Sequence, residues 1–450
     1  MAMCIKPPED PKIVQVIMKY LVKEKLINMG ADTATMYCMV KDENGNLRLP
    51  FGFCLDLWNV PLPRFDQLPR HAFMTNIVLG EGGRVHQPLL YNQMVKSLVE
   101  TRRCFLSLFC GGGKTIMAIK AIVEMGIIGG TAVVTDGTLI FPQWLSVLRS
   151  ATNLRVAGID SSVDVLPEAD VYVMMITACR RMKAKALERI KFLIVDEATY
   201  FMTVERIPGL LNFTPMYCLG LCAEIKRDDK MECFLPYFFG NNIIRLISQN
   251  PFIVYRLETN YVPIVQTHVK TKKMDWNLVL SSIAENEPRN LDILWLVHHK
   301  LKTSKIIIGV KRVEQAVFLH ECLIKLGEKA AILVRNMKSF SSCRILVGVY
   351  AKMGKGVDAK NLCADWEGDV FDVAILAADC TNPEQFVGRV FRHKNPVVYD
   401  MVDNNSTLRK HFDKNRLPWY TARKGQIVKE GLEGHKFNLS MDEEANLLFN

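Results

Sequence analysis

The chain has no uncharged apolar run of about 18 residues, the length a membrane-spanning helix requires, and no basic, apolar and small-residue succession at its start. Neither a membrane span nor a secretory leader is expected, and the protein is expected to stay in the cytoplasm. No CxxC pair occurs, and the 13 cysteines are odd in number and sit mostly in apolar runs, as at Cys54, Cys104, Cys218 and Cys222. That argues against a disulfide framework or a zinc site, and for small core residues in a reducing compartment. Low-complexity segments are also missing, which with 49% apolar residues excludes disordered and fibrous classes. At 450 residues there is room for two or three domains with cores of their own. The net charge of +10 suits a polyanionic partner, although the charges are dispersed and a solvated surface accounts for them equally well.

What is present is organised around Leu106 to Ile119, LSLFCGGGKTIMAI. The apolar run Phe105 to Phe109 predicts a buried strand, three glycines break it, and Lys114-Thr115 open a segment with helical apolar spacing. Glycines 111 to 113 can take positive φ and bring backbone N–H groups close to an anion, and the helix N-terminus adds its dipole. In such a phosphate-binding loop, Lys114 reaches the β- and γ-phosphates and the Thr115 hydroxyl ligates Mg²⁺. The first glycine of GxxxxGK[ST] falls on Leu108, so an ordinary glycine turn before a helix is the alternative reading.

Residues 1 to 85 read as a small α+β accessory region. Asp10 and Pro11 predict the start of a helix whose stripe, Ile13/Ile17/Leu21 with Val14/Met18/Val22, runs toward Gly30. A hairpin is predicted around Asn44-Gly45, flanked by Tyr37 to Lys41 and Leu47 to Leu49. From 86 the pattern becomes strand, loop, helix, repeated, with apolar runs at 105–109, 131–135, 171–176, 192–195 and 217–222. Near 250–275 it loosens, and a second alternation follows at 305–310, 330–334, 344–349, 371–378 and 397–402, with a helix over 312–327. The fold class is therefore α/β, with two parallel-sheet lobes in tandem over 86–255 and 256–430 and a tail over 431–450.

Hydrolysis of ATP needs one carboxylate for a Mg²⁺ shell and another to orient the attacking water, both at the end of a buried strand. KFLIVDEATYF supplies them as Asp196 and Glu197. A strand ending in two acids is common alone, but its pairing with Lys114 carries weight.

From about Leu90 to Arg392 the chain resembles superfamily 2 helicases, motif by motif and in order. LLYNQ is similar to the adenine-reading segment, which makes Gln93 the reader. LFCGGGKT is similar to AxTGxGKT, which implies that Cys110, Gly111, Gly112, Gly113, Lys114 and Thr115 bind nucleotide. AVVTDGTLIFPQW and VMMITACR resemble the motifs that contact a nucleic-acid backbone, through Thr138, Gln143 and Thr177. DEAT stands where DEAD or DEAH is usual, LGLCAEIKRDD resembles LGLTATPxRxDG, and VGVYAKMGKGVD resembles VATYAMIGEGFD, with Asp358 toward the nucleotide. QFVGRVFR matches QxxGRxxR without departure, so Gln385, Arg389 and Arg392 join Lys114, Asp196 and Glu197 as the expected catalytic set. Two arginines three apart share a helix face, and their planar cations suit a γ-phosphate held by the first lobe. ENEPRNLDILWLV, QWL, CGGGKT and NLRLPFGF further resemble the transcript-release DNA helicases of poxviruses and their counterparts in other large cytoplasmic DNA viruses. The resemblance implies two RecA-like lobes, ATP and Mg²⁺, translocation 3′ to 5′ on DNA with RNA not excluded, and a place beside the viral transcription machinery.

The departures fall together. Glu224 and Ile225 replace Thr and Pro, Val349 replaces a Thr, and Thr199 replaces the last residue of the box. By resemblance these positions link the ATP site to the nucleic-acid track, so hydrolysis is expected with weakened coupling to unwinding. Arg227 is the candidate to offset the Glu224 charge. The alternative is a catalytically impaired helicase-like scaffold that binds nucleic acid or the polymerase.

Overall fold

The computed structural model describes residues 2–27, 32–58, 71–81, 84–127, 129–137, 140–227, 229–267, 274–334, 337, 339–353, 363, 365, 368 and 370–431. Its contacts divide the chain into two units, Met1–Leu246 and Ile247–Asn450. Among the described residues no helix is long and apolar enough to cross a membrane.

In the first unit the N-terminal part comprises β1 (Ala2–Ile5), α1 (Pro11–Leu21), β2 (Val22–Ile27), β3 (Asp32–Tyr37), β4 (Val40–Lys41), β5 (Leu47–Pro50) and α2 (Phe51–Trp58). Asp10 caps α1 by accepting from Lys12 N at 2.8 Å. The helix stops at Leu21, short of the predicted Gly30, because Val22 turns extended (φ −117°) and enters β2. Only part of the stripe is used: Ile17 and Leu21 are buried, while Val14 and Met18 stay exposed. The hairpin forms as β4 against β5, with Gly45 at φ +81° and the Asp42 carboxylate accepting from Asn44 N and Asn46 N.

The rest of this unit is a seven-stranded parallel sheet. Its strands are β6 (Arg103–Leu108), β7 (Thr131–Thr135), β8 (Val156–Ile159), β9 (Val171–Met175), β10 (Phe192–Asp196), β11 (Tyr217–Cys222) and β12 (Ile243–Leu246), in the spatial order β12-β6-β11-β10-β7-β9-β8. Three helices bear on the site: α3 (Gln87–Thr101), α4 (Lys114–Met125) and α5 (Ile140–Ala151). Every residue of β7, β10 and β11 is buried, as expected for strands covered on both faces. One core cluster contains Val134, Leu193 and Val195 and another Val133, Ile194 and Trp144, so alternate residues serve opposite faces of the sheet.

The second unit has its own seven-stranded parallel sheet, from β13 (Phe252–Glu258), β14 (Ile306–Val310), β15 (Ala330–Leu333), β16 (Ile345–Val349), β17 (Val373–Leu376), β18 (Val397–Val402) and β19 (Gly425–Gly431), ordered β15-β16-β14-β17-β18-β13-β19. β13 occupies the stretch where the sequence pattern loosened. Its buried positions Phe252, Val254 and Leu257 are broken by exposed or half-exposed residues, which hides the strand in a hydrophobicity count. The predicted helix after β14 spans Val313–Lys325, and Gly327 follows it at φ +78°. Two RecA-like lobes in tandem, preceded by a small region of antiparallel pairs, are therefore the fold.

Candidate ATP site

β6 ends at Leu108, and the chain turns through Phe109 to Gly113 into α4. Gly111 and Gly113 take φ of +86° and +93°, values that disfavour any residue with a Cβ. Gly112 N donates to Phe109 O at 3.0 Å, and Lys114 Nζ donates to Leu108 O at 2.9 Å. Cys110 is half-buried, and Thr115 is the second residue of α4.

Asp196 closes β10, in register with Leu221 of β11, which is in turn level with Leu106 of β6. The carboxylate and the glycine loop thus lie at the C-terminal ends of strands separated by one strand, where open α/β sheets bind ligands. Asp196 is buried; its Oδ2 accepts from Trp144 Nε1 at 2.7 Å and its Oδ1 from Glu197 N at 3.1 Å. Burial and the neighbouring Glu197 push its carboxyl up to about 6, against the Trp144 hydrogen bond and the Lys114 charge. Burial would depress the Lys114 ammonium, but Glu197, Cys110 and Asp196 outweigh it and leave it raised. Lys114, Asp196 and Glu197 are therefore brought together electrostatically. Glu197 sits in the left-handed region at φ +54°, a strained backbone for a side chain this size. Its Oε2 is buried without a hydrogen-bond partner among the described residues, so a water or cation fits there.

Gln93 lies exposed on α3. The glutamine placed against the loop is Gln87, at the start of the same helix: its Nε2 donates to Gly112 O at 3.4 Å and its Oε1 accepts from Gly80 N at 3.1 Å. His86 Nε2 also lies 3.3 Å from Gly112 O. The motif pattern pointed past Gln87; the Pro88 that follows it, suited to a helix start, was the available signal.

Thr177 is exposed on the short helix after β9, and Gln143 is half-buried on α5. Thr138 and Asp358 lie outside the described residues. Arg227, the anticipated partner of Glu224, bonds to groups on its own loop and on the Asp196-Glu197 segment. Its Nε and Nη2 fork onto the Asp229 carboxylate at 2.7 Å each, and Nη1 donates to Thr199 O at 2.6 Å, because an acid two residues away offers bidentate geometry.

In the second unit Gln385 lies on the short helix Glu384–Val387, while Arg389 and Arg392 bracket a 3-10 turn, Val390–Arg392. The continuous helix expected for the arginines instead ends at Val387. The segment is fixed at both ends: Glu384 accepts from Trp419 Nε1 at 2.8 Å and from Arg423, and Phe391 stacks on Trp419 at 6.0 Å and 6°. Beneath it, buried Arg416 bonds Asp379 at 2.6 Å and Asp400 at 2.8 Å.

No family profile matches the chain. The candidate helicase 161L of Invertebrate iridescent virus 6 is 30% identical over 422 residues, covering 86% of this chain and 90% of that one. The chain belongs to the superfamily 2 helicases of large DNA viruses. This helicase is also 29% identical to candidate helicase 055L of Frog virus 3, over 77% and 79% of the two chains. It is 25% identical to the candidate ATP-dependent RNA helicase L396 of Acanthamoeba polyphaga mimivirus, over 89% and 80%. Among solved structures, S. cerevisiae Dbp5 bound to RNA and ADP BeF3 superposes with a TM-score of 0.53 at 12% identity, covering 80% of the helicase and 93% of Dbp5, a likeness of fold. The helicase is an ATP-dependent enzyme of the nucleic-acid-binding kind.

Proposed function

We propose that this helicase hydrolyses ATP with Mg²⁺ to move along DNA, during transcript release or repair of a viral genome, in the host cytoplasm and beside the viral transcription machinery. The observation that carries the reading is the convergence of Lys114, Asp196 and Glu197 at the strand ends, with the orphaned Glu197 oxygen among them. Amides of Cys110 to Gly113 would cradle the phosphates, with the Lys114 ammonium on the terminal ones. Asp196 and the Thr115 hydroxyl are the groups that would hold Mg²⁺, which when bound neutralises phosphate charge. Glu197 would orient the attacking water and take its proton. Arg389 and Arg392, with Gln385, would offset the transition-state charge, and Gln93 and Asp358 would attend the nucleotide.

Thr138, Gln143 and Thr177 are the proposed contacts to the DNA backbone. Between the two functions the coupling is weakened. Glu224 places a carboxylate where the resembled motif has a Thr, and Val349 offers no side-chain hydrogen bond where the motif has another. The enzyme is accordingly a translocase more than a processive unwinder. A DNA-dependent ATPase assay on the wild type and Lys114→Ala tests this: stimulated turnover lost in the variant is expected, and no turnover in either would indicate the scaffold.

A further inference from the structure

Trp144 lies 52 residues before Asp196, and nothing in the ATPase chemistry above requires it. On α5 it belongs to the buried face Ile140, Trp144, Leu148 and Ala151, and its side chain is 1% exposed within the core cluster that contains Val133 and Ile194. Here the ring carries an N–H, and that N–H is spent on the carboxylate: Nε1 to Oδ2 is 2.7 Å, the length of a charge-assisted hydrogen bond.

The consequence follows from the surroundings of Asp196. Its side chain is buried, and a buried polar group needs hydrogen-bond partners. The backbone N–H of Glu197 occupies Oδ1 at 3.1 Å, and the indole occupies Oδ2. With one donor on each oxygen, rotation of the carboxylate about χ2 breaks both bonds, yet each oxygen keeps a lone pair for a further partner. A smaller phenyl ring would keep the position apolar and leave Oδ2 without the indole donor.

We infer that Trp144 is a positioning residue for Asp196, holding the carboxylate in one orientation so that a divalent cation can be bound with the nucleotide. The inference rests on the proposed ATPase reading and adds a residue to it. Hydrogen bonds to charged groups are strong enough for their loss to cost about tenfold or more in the equilibrium they support. The affected equilibrium is the Mg²⁺-dependent part of nucleotide binding, since the glycine loop and Lys114 are untouched.

The experiment titrates the full chain with a fluorescent ADP analogue, with Mg²⁺ and with EDTA, for wild type and Trp144→Phe. The gain in affinity produced by Mg²⁺ should fall about tenfold or more in the variant, the EDTA affinity staying at the wild-type value. A second protein carries 3-benzothienylalanine at 144, which keeps the bicyclic shape and replaces N–H by sulfur; it should show the same loss even if the phenylalanine variant does not fold. An unchanged Mg²⁺ gain in the benzothienyl protein overturns the assignment. Absence of nucleotide binding by the wild type overturns the ATPase reading beneath it.

Discussion

Gly113→Ala tests the geometry of the phosphate loop through two terms that the structure separates. Gly113 has φ +93°, and a left-handed backbone costs an L-residue about 1–2 kcal/mol. An added Cβ would also lie 1.9 Å from Gln87 Nε2, so Gln87 must leave. Its bonds to Gly112 O and Gly80 N are then lost, at about 1 kcal/mol each. The sum is about 3–4 kcal/mol, a large part of a typical stability of about 5–15 kcal/mol. For a unit of this size it lowers the melting temperature by roughly 6–16 °C. A double-mutant cycle followed by thermal denaturation isolates the terms: in a Gln87→Ala background only the backbone term remains, so Gly113→Ala should cost about 1–2 kcal/mol there. Equal costs in both backgrounds would refute the Gln87 contact, and a variant as stable as wild type would refute the left-handed backbone as well.

The remaining predictions concern charge, acid stability and coupling. Backbone contacts release counterions, so DNA affinity should fall by orders of magnitude between low and moderate salt with little sequence preference; salt-insensitive binding would remove the phosphate contacts. Burial raises the Asp379 carboxyl, but the hydrogen bond from His411 and the Arg416 charge outweigh it and hold it below the ordinary value. Its folded pKa is below its unfolded one, so its contribution is present above about pH 4 and is lost as pH falls through the folded value. Asp379→Asn should flatten that acid limb in denaturation measured across pH, and an unaltered limb would contradict the ion pair. The double change Glu224→Thr, Val349→Thr should raise strand separation per ATP hydrolysed, read in parallel unwinding and ATPase assays, whereas an unchanged ratio would show that these positions do not set coupling.

Much of the architecture was legible because the central strands are buried on both faces and read as continuous apolar runs, as at Phe192 to Val195. β12 and β13 were less so: they carry Arg245, Arg256 and Glu258 among their apolar residues. The glycine loop and the acid pair were visible because each is local in sequence. What escaped are partners distant in sequence or on the backbone. Trp144 on Asp196 looks like a core tryptophan until the fold brings the strand end to it. The Arg227 bond to Thr199 O has an acceptor that every residue possesses. Gln87 and Gln93 differ by less than two helical turns, and only the structure shows that Gln87 meets the loop.

The central claim is that Lys114, Asp196 and Glu197 form the hydrolytic centre. Nucleotide binding and single-turnover hydrolysis, measured side by side on wild type, Lys114→Ala and Glu197→Gln with DNA present, test it most directly. The account predicts weak binding in Lys114→Ala, and tight ATP binding with arrested turnover in Glu197→Gln. Hydrolysis at the wild-type rate in both variants would contradict it.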